Sequence, residues 1–114
     1  ALFLAERGTL TRLTEDRAIS NEDLAAELEE MQRGKSLCLV GDGAKLCYNK
    51  ERLQALGAKL PPEPLLYQRA WGVAEVAKDL FERGETLTAA ALAPVYLRMP
   101  QAERELKKRQ AAQM

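Results

Sequence analysis

Few residues in this chain have the type and spacing to do chemistry. Gly41-Asp42-Gly43 follows the apolar run Ser36–Val40 and precedes a helical pattern that begins at Ala44. A glycine turn between a strand and a helix leaves backbone amides at the helix N-terminus and lets a nucleotide phosphate approach the main chain. The loop lacks the later glycine of G-x-G-x-x-G and the Gly-Lys-Ser/Thr of a P-loop, so a bare structural turn also explains it. Asp42 offers a carboxylate for general-base or metal work. No second carboxylate stands near it in sequence, and a lone aspartate in a loop serves equally as a turn residue. The two cysteines, Cys38 and Cys47, form no C-x-x-C pair and do not close a zinc site. They read as free thiols, buried or half-buried, in preference to a disulfide between them. Histidine is absent, which excludes a Ser-His-Asp triad, a Cys-His pair and a histidine-ligated zinc within the chain. No catalytic residue, metal site or cofactor is assigned from these residues.

Two further features invite a partner. Trp71 is the only tryptophan. At about 100° per residue it falls opposite the Val73/Val76/Leu80 stripe of its helix. It is either an anchor for a partner or a residue packed on the preceding loop. Near the C-terminus, Arg104, Lys107, Lys108 and Arg109 stand against Glu103 and Glu105. That is a modest basic patch for RNA phosphates, or a solvated helix with pairs such as Glu103–Lys107.

The elements that must position these residues follow from pattern. With 46% hydrophobic and 30% charged residues in 114, the composition is that of one globular domain or a piece of a larger protein. Seventeen basic residues balance seventeen acidic ones, so no net charge pulls the whole chain toward nucleic acid. No apolar stretch approaches the roughly 20 residues that span a bilayer.

Ala1–Ala5, a Glu6–Thr9 turn and a weakly alternating second strand predict a hairpin. Ser20 opens a helix carrying Leu24, Leu28 and Met31, with Gly34 as its stop. Ser36–Val40 reads as a strand buried on both faces. Ala44–Leu56 predicts one helix or two short ones, Asn49 capping the second. Pro61-Pro62-Glu63-Pro64 reads as a rigid connector and Leu65–Tyr67 as a short strand. Val73, Val76, Ala77, Leu80 and Phe81 predict the clearest helix, Ala70–Arg83. Pro94–Arg98 reads as extended and 101–114 as a polar helical tail. The order predicts an α/β domain over 1–100, with a mixed sheet and helices on both faces, followed by the tail.

Two stretches carry a resemblance. Leu39-Val40-Gly41-Asp42-Gly43-Ala44 with Tyr48 is the first. The second is the Val73–Gly84 helix, then Pro94-Val95-Tyr96-Leu97-Arg98 and Gln101-Ala102-Glu103-Arg104. In this order they resemble the C-terminal half of the TsaB (YeaZ) family, the glycoprotease-like proteins of tRNA threonylcarbamoyladenosine biosynthesis. The resemblance covers nearly the whole chain, and Pro-Val-Tyr-Leu-Arg is its most specific part.

It implies an actin-like (ASKHA, ribonuclease H-like) domain whose first strand is missing. Ala1-Leu2-Phe3-Leu4, which reads like the inside of a strand, fits a fragment or processed product. It also implies a non-enzymatic, cytoplasmic scaffold that supports TsaD, with TsaE as a further partner, tRNA contacted only indirectly and no membrane. The main TsaD interface is expected in an N-terminal domain absent here, and the exposed strand edge predicts edge pairing or a non-native oligomer. Gly41-Asp42-Gly43 then corresponds to a degenerate nucleotide loop. Pro94, Tyr96, Leu97 and Arg98 are candidates for fixing the C-terminal segment onto the fold, with Tyr96 supplying buried area and Arg98 a hydrogen-bonding fork. The alternative from the enzyme class is a nucleotide-binding phosphotransfer or hydrolase half-site at Gly41-Asp42-Gly43.

Overall fold

The computed structural model describes residues 1–113. They form two units, Ala1–Ala18 with the chain from Leu92 on, and Ile19–Ala91. Helices and one small two-stranded antiparallel sheet make the protein broadly α/β. The larger mixed sheet expected from sequence is replaced, among the described residues, by this hairpin and one isolated bridge.

In the first unit, β1 (Phe3–Glu6) pairs with β2 (Thr9–Arg12) in the register Phe3↔Arg12 to Glu6↔Thr9. Arg7 and Gly8 both take positive φ, 50° and 78°, the geometry of a primed two-residue hairpin turn. The Leu13 N–H donates to the Leu2 carbonyl at 2.8 Å, and the Leu2 N–H to Thr14 Oγ1 at 2.8 Å. Arg12 lies over the ring of its cross-strand neighbour Phe3, 4.8 Å from the centroid, and donates to Asp16 at 2.8 Å. The polar helix of this unit, Gln101–Ala112, has no buried residue. Leu106 is its one large apolar residue, so it has no apolar face to bury.

The second unit holds every buried residue that the structure describes: Ala25, Leu28, Ala44, Leu53, Ala58 and Leu66. Helix α1 (Asn21–Met31) starts where Ser20 Oγ accepts from the Asp23 N–H at 3.0 Å while donating to the Asp23 carboxylate at 2.7 Å. That reciprocal cap satisfies a free amide of the first turn. Ala25 and Leu28 form the face of α1 that packs toward α3 (Glu51–Ala55), whose Leu53 is wholly inaccessible. Around that contact Arg52 grips Glu29 with two nitrogens at 2.9 and 3.1 Å, and Gln32 donates to the Leu56 carbonyl at 2.6 Å.

The Ala44–Leu56 stretch is two helices, α2 (Ala44–Tyr48) and α3. Asn49 closes α2 through its backbone, and Lys50, not Asn49, stands at the start of α3.

Three further sequence expectations differ from the structure. Ser36–Val40 is not a strand buried on both faces. It alternates, with Leu37 and Leu39 half-buried and Cys38 and Val40 exposed. Its only ladder contact is a parallel bridge, in which Lys59 donates to Leu37 and accepts from Leu39, both at 2.9 Å. Leu65–Tyr67 is not a strand either, because Glu63–Leu66 forms a helical turn, α4. Pro64 sits in its first turn, where no amide is required, so the proline-rich stretch admits a helix start. Cys38 is exposed, where burial or half-burial was expected, whereas Cys47 is half-buried as expected; both are free thiols.

Helix α5 (Ala70–Glu82) follows the predicted pattern. It ends with the Glu85 N–H donating to the Leu80 carbonyl at 2.9 Å and the Gly84 N–H to that of Phe81 at 3.0 Å. This pair of bonds is a Schellman stop. The final helix, Gln101–Ala112, is α6.

Candidate functional site

The glycine loop is built by the main chain around it. Gly41 has φ of +96°, a conformation that glycine adopts without strain, and its N–H donates to the Leu66 carbonyl at 2.7 Å. Its own carbonyl accepts from the Ala44 N–H at 3.1 Å, and the Gly43 carbonyl accepts from the Cys47 N–H at 3.1 Å. The loop is therefore pinned at one end to α4 and at the other to α2. A side-chain carbon built at Gly41 or Gly43 meets nothing within 4 Å, so space lies open on both. Asp42 is exposed at the tip. The helix that follows has five residues and no side-chain cap, and the Gly41 amide is already spent on Leu66. The geometry is that of a tethered turn with open space above it.

Beside this loop stands a group that sequence inspection missed. Lys45 of α2 lies 5.5 Å from the centre of the Tyr67 ring. Hydrogen bonding to Tyr67, and then its charge, hold the Lys45 pKa above the ordinary lysine value, and the Glu63 carboxylate adds to this. Desolvation opposes the shift but does not reverse it. Lys45 and Tyr67 are distant in sequence and on different elements, and no periodicity links them. Cys47 of α2 donates its thiol to Asn21 Oδ1 of α1 at 3.2 Å, which ties the loop's helix to the first helix. Among the described residues no three His, Cys, Asp or Glu side chains gather to hold a metal.

Trp71 is the second residue of α5 and is 70% exposed. It does not pack on the preceding loop to any large extent. The apolar stripe on the other side of α5 is exposed too except at half-buried Leu80, and no residue of the helix is buried.

Pro94, Tyr96, Leu97 and Arg98 lie in the irregular chain between α5 and α6, in the first unit. Tyr96, Leu97, Arg98, Met99 and Pro100 line a shallow hollow of about 390 Å³. Lys107 of α6 donates to Met99 Sδ at 3.7 Å, which links that hollow to the helix. Tyr96 is 81% exposed, so the buried area expected of it is not present. Arg98 is exposed as well. The candidate residues thus fall into two groups in separate units: Gly41-Asp42-Gly43 and Trp71 in Ile19–Ala91, and the Pro94–Arg98 group in the other.

No helix among the described residues is long and apolar enough to cross a membrane. No family model, curated protein or solved structure matches the chain.

Proposed function

We propose that this chain is a non-catalytic scaffold module of the TsaB kind, supporting TsaD in the threonylcarbamoyl modification of tRNA adenosine. The observation that carries the reading is the agreement of motif order with element order. Leu39–Ala44 turns from an extended segment into α2, Val73–Gly84 forms one helix with its stop, and Pro94–Arg98 leads into α6 at Gln101. In this reading the two units are parts of an actin-like domain, and the protein works in the cytoplasm, where tRNA is modified.

No residue of this chain is given a catalytic role. The Gly41-Asp42-Gly43 turn is a remnant of a nucleotide loop, consistent with its amide being committed to Leu66. Exposed Tyr96 and Arg98 offer an aromatic face and a planar fork suited to protein contact. TsaD and TsaE are the partners of this reading, and tRNA is reached through them.

The experiment mixes the purified chain with a TsaB N-terminal domain and TsaD, then reads co-elution on size exclusion. Co-elution of all three supports the scaffold reading. If the chain elutes alone and instead hydrolyses or transfers phosphate from a nucleotide, the reading is wrong and the glycine loop is an enzyme's half-site.

A further inference from the structure

The zero net charge of the whole chain hides an uneven distribution. From Leu92 on there are five basic residues, Arg98, Arg104, Lys107, Lys108 and Arg109, against two acidic ones, Glu103 and Glu105. Helix α6 sorts them. Arg104, Lys107 and Lys108, at i, i+3 and i+4, share one face, with Ala111 a turn beyond and Leu106 behind. All of α6 is exposed.

A merely solvated helix of this composition would pair Glu103 with Lys107 four residues on. That pair is not formed. Among the described residues the four cations of α6 make no ion pair. Glu105 instead accepts from Gln101 at 2.7 Å, and Lys107 turns to Met99, with Nζ 3.7 Å from Sδ. The Lys107 contact joins the basic face to the hollow of Tyr96–Pro100. An exposed ring, Tyr96, and an exposed guanidinium, Arg98, thus stand beside a row of unpaired cations.

We propose that this hollow and the Arg104/Lys107/Lys108 face together form a docking surface for single-stranded nucleic acid. The inference goes beyond the scaffold reading, in which tRNA is reached through other proteins, and does not rest on it. Charge complementarity selects a polyanion. Phosphates that meet these cations release counterions, and no existing ion pair has to be broken. The ring narrows the choice further. A base offers a flat face to Tyr96, and another can lie on the Arg98 guanidinium plane. An acidic peptide offers carboxylates to the cations but nothing to stack. A duplex keeps its base faces stacked on one another, and the A-form major groove is too narrow for side chains to read. Ring and cations are indifferent to base identity, so sequence preference should be weak.

The test uses the purified chain alone, without partner proteins, and a fluorescein-labelled oligouridylate of about a dozen nucleotides. Fluorescence anisotropy should give saturable binding with Kd on the order of 10–100 μM at near-physiological salt. The logarithm of the binding constant should fall with that of salt with a slope of about −2 or steeper, as three phosphate contacts on a single strand require. R104Q/K107Q/K108Q should weaken binding tenfold or more and flatten the slope by about 2. Tyr96→Ala should weaken it roughly tenfold with the slope unchanged, and Tyr96→Phe should keep the wild-type affinity, because the ring and not the hydroxyl stacks. Every replaced side chain is exposed, so circular dichroism should not change.

A wild-type chain that fails to bind the oligouridylate overturns the proposal. So does an affinity untouched by Tyr96→Ala or by the triple substitution. Equal binding of a duplex of the same length would also overturn it, as would equal competition by a polyglutamate peptide, which would assign the surface to an acidic protein segment.

Discussion

Replacing Leu53 with alanine should be the most damaging single truncation in this protein. Among the described residues Leu53 is the only large side chain that is completely inaccessible. It sits in α3, which packs on both α1 and α2, so its removal is felt by all three helices. Burial of a leucine contributes about 1.5–3 kcal/mol by transfer alone. The cavity left behind brings the cost to about 2–5 kcal/mol. Three leucines and three alanines make up the buried set among the described residues, so few neighbours can move in to fill the space.

The unit Ile19–Ala91, at about 0.05–0.15 kcal/mol per residue, has about 4–11 kcal/mol of stability in total. The substitution therefore removes at least about a fifth of it and lowers the urea midpoint, followed by far-ultraviolet circular dichroism, in proportion. Leu46→Ala is the matched control. Leu46 is one helix away on α2 and exposed, so its truncation should change stability by no more than about 0.5 kcal/mol. Equal midpoints for the two variants would refute the reasoning, because burial would then not be what distinguishes them.

Two other outcomes follow from local geometry. The Asp16 carboxyl is held below its ordinary value of 3.8, first by the hydrogen bond from Arg12 and then by the charge of the same guanidinium. Its contribution to the hairpin is present above the ordinary value and is lost as pH falls through the lowered folded one. A carboxyl-carbon NMR titration should show this, and Arg12→Ala should return Asp16 toward 3.8; a wild-type value at or above 3.8 contradicts the ion pair. Ser20→Ala removes the acceptor for the Asp23 amide and should cost about 1 kcal/mol in the same urea experiment, whereas Ser20→Asp should retain most of the stability. An unchanged midpoint in Ser20→Ala would show that the cap contributes nothing.

The elements legible in the sequence are those with a local signal. Ser20 announced α1 through its capping chemistry. The 3.6-residue period of Val73 to Phe81 announced α5, and Gly84 announced its end. The hairpin was legible from the Arg7-Gly8 turn between two short runs.

The elements misread depend on distant partners or on crowding. Ser36–Val40 is uniformly apolar in type, so nothing in it says that only Leu37 and Leu39 turn inward. Its partner Lys59 is polar and sits past two helices. The proline-rich stretch reads as helix-breaking, yet proline at a first turn breaks nothing.

For the site, the position of the Gly41 turn was legible, because a strand-like run, a glycine and a helical period meet there. The spending of its amide on Leu66 was not, nor was the approach of Lys45 to Tyr67. Both are tertiary contacts across more than a dozen residues. The exposure of Tyr96 and of the α5 stripe runs against composition, which predicts that aromatic and branched side chains find cover.

The confinement of every described buried residue to Ile19–Ala91 has a consequence for how the chain opens. Amide hydrogen exchange in α1 and α3 must wait for the concerted loss of the Leu53 cluster, and so reports the global free energy of that unit. Amides in the β1–β2 ladder have no buried side chain holding them closed, and two strands without a covered face are marginal in water. They exchange by local opening, at a free energy near the bottom of the molecule's range. The same division sets where a protease cuts first, since cleavage requires a segment to unfold locally without taking the core with it. Residues 1–18 and the stretch from Leu92 are the cheap openings, and Ile19–Ala91 is what a brief digestion leaves behind.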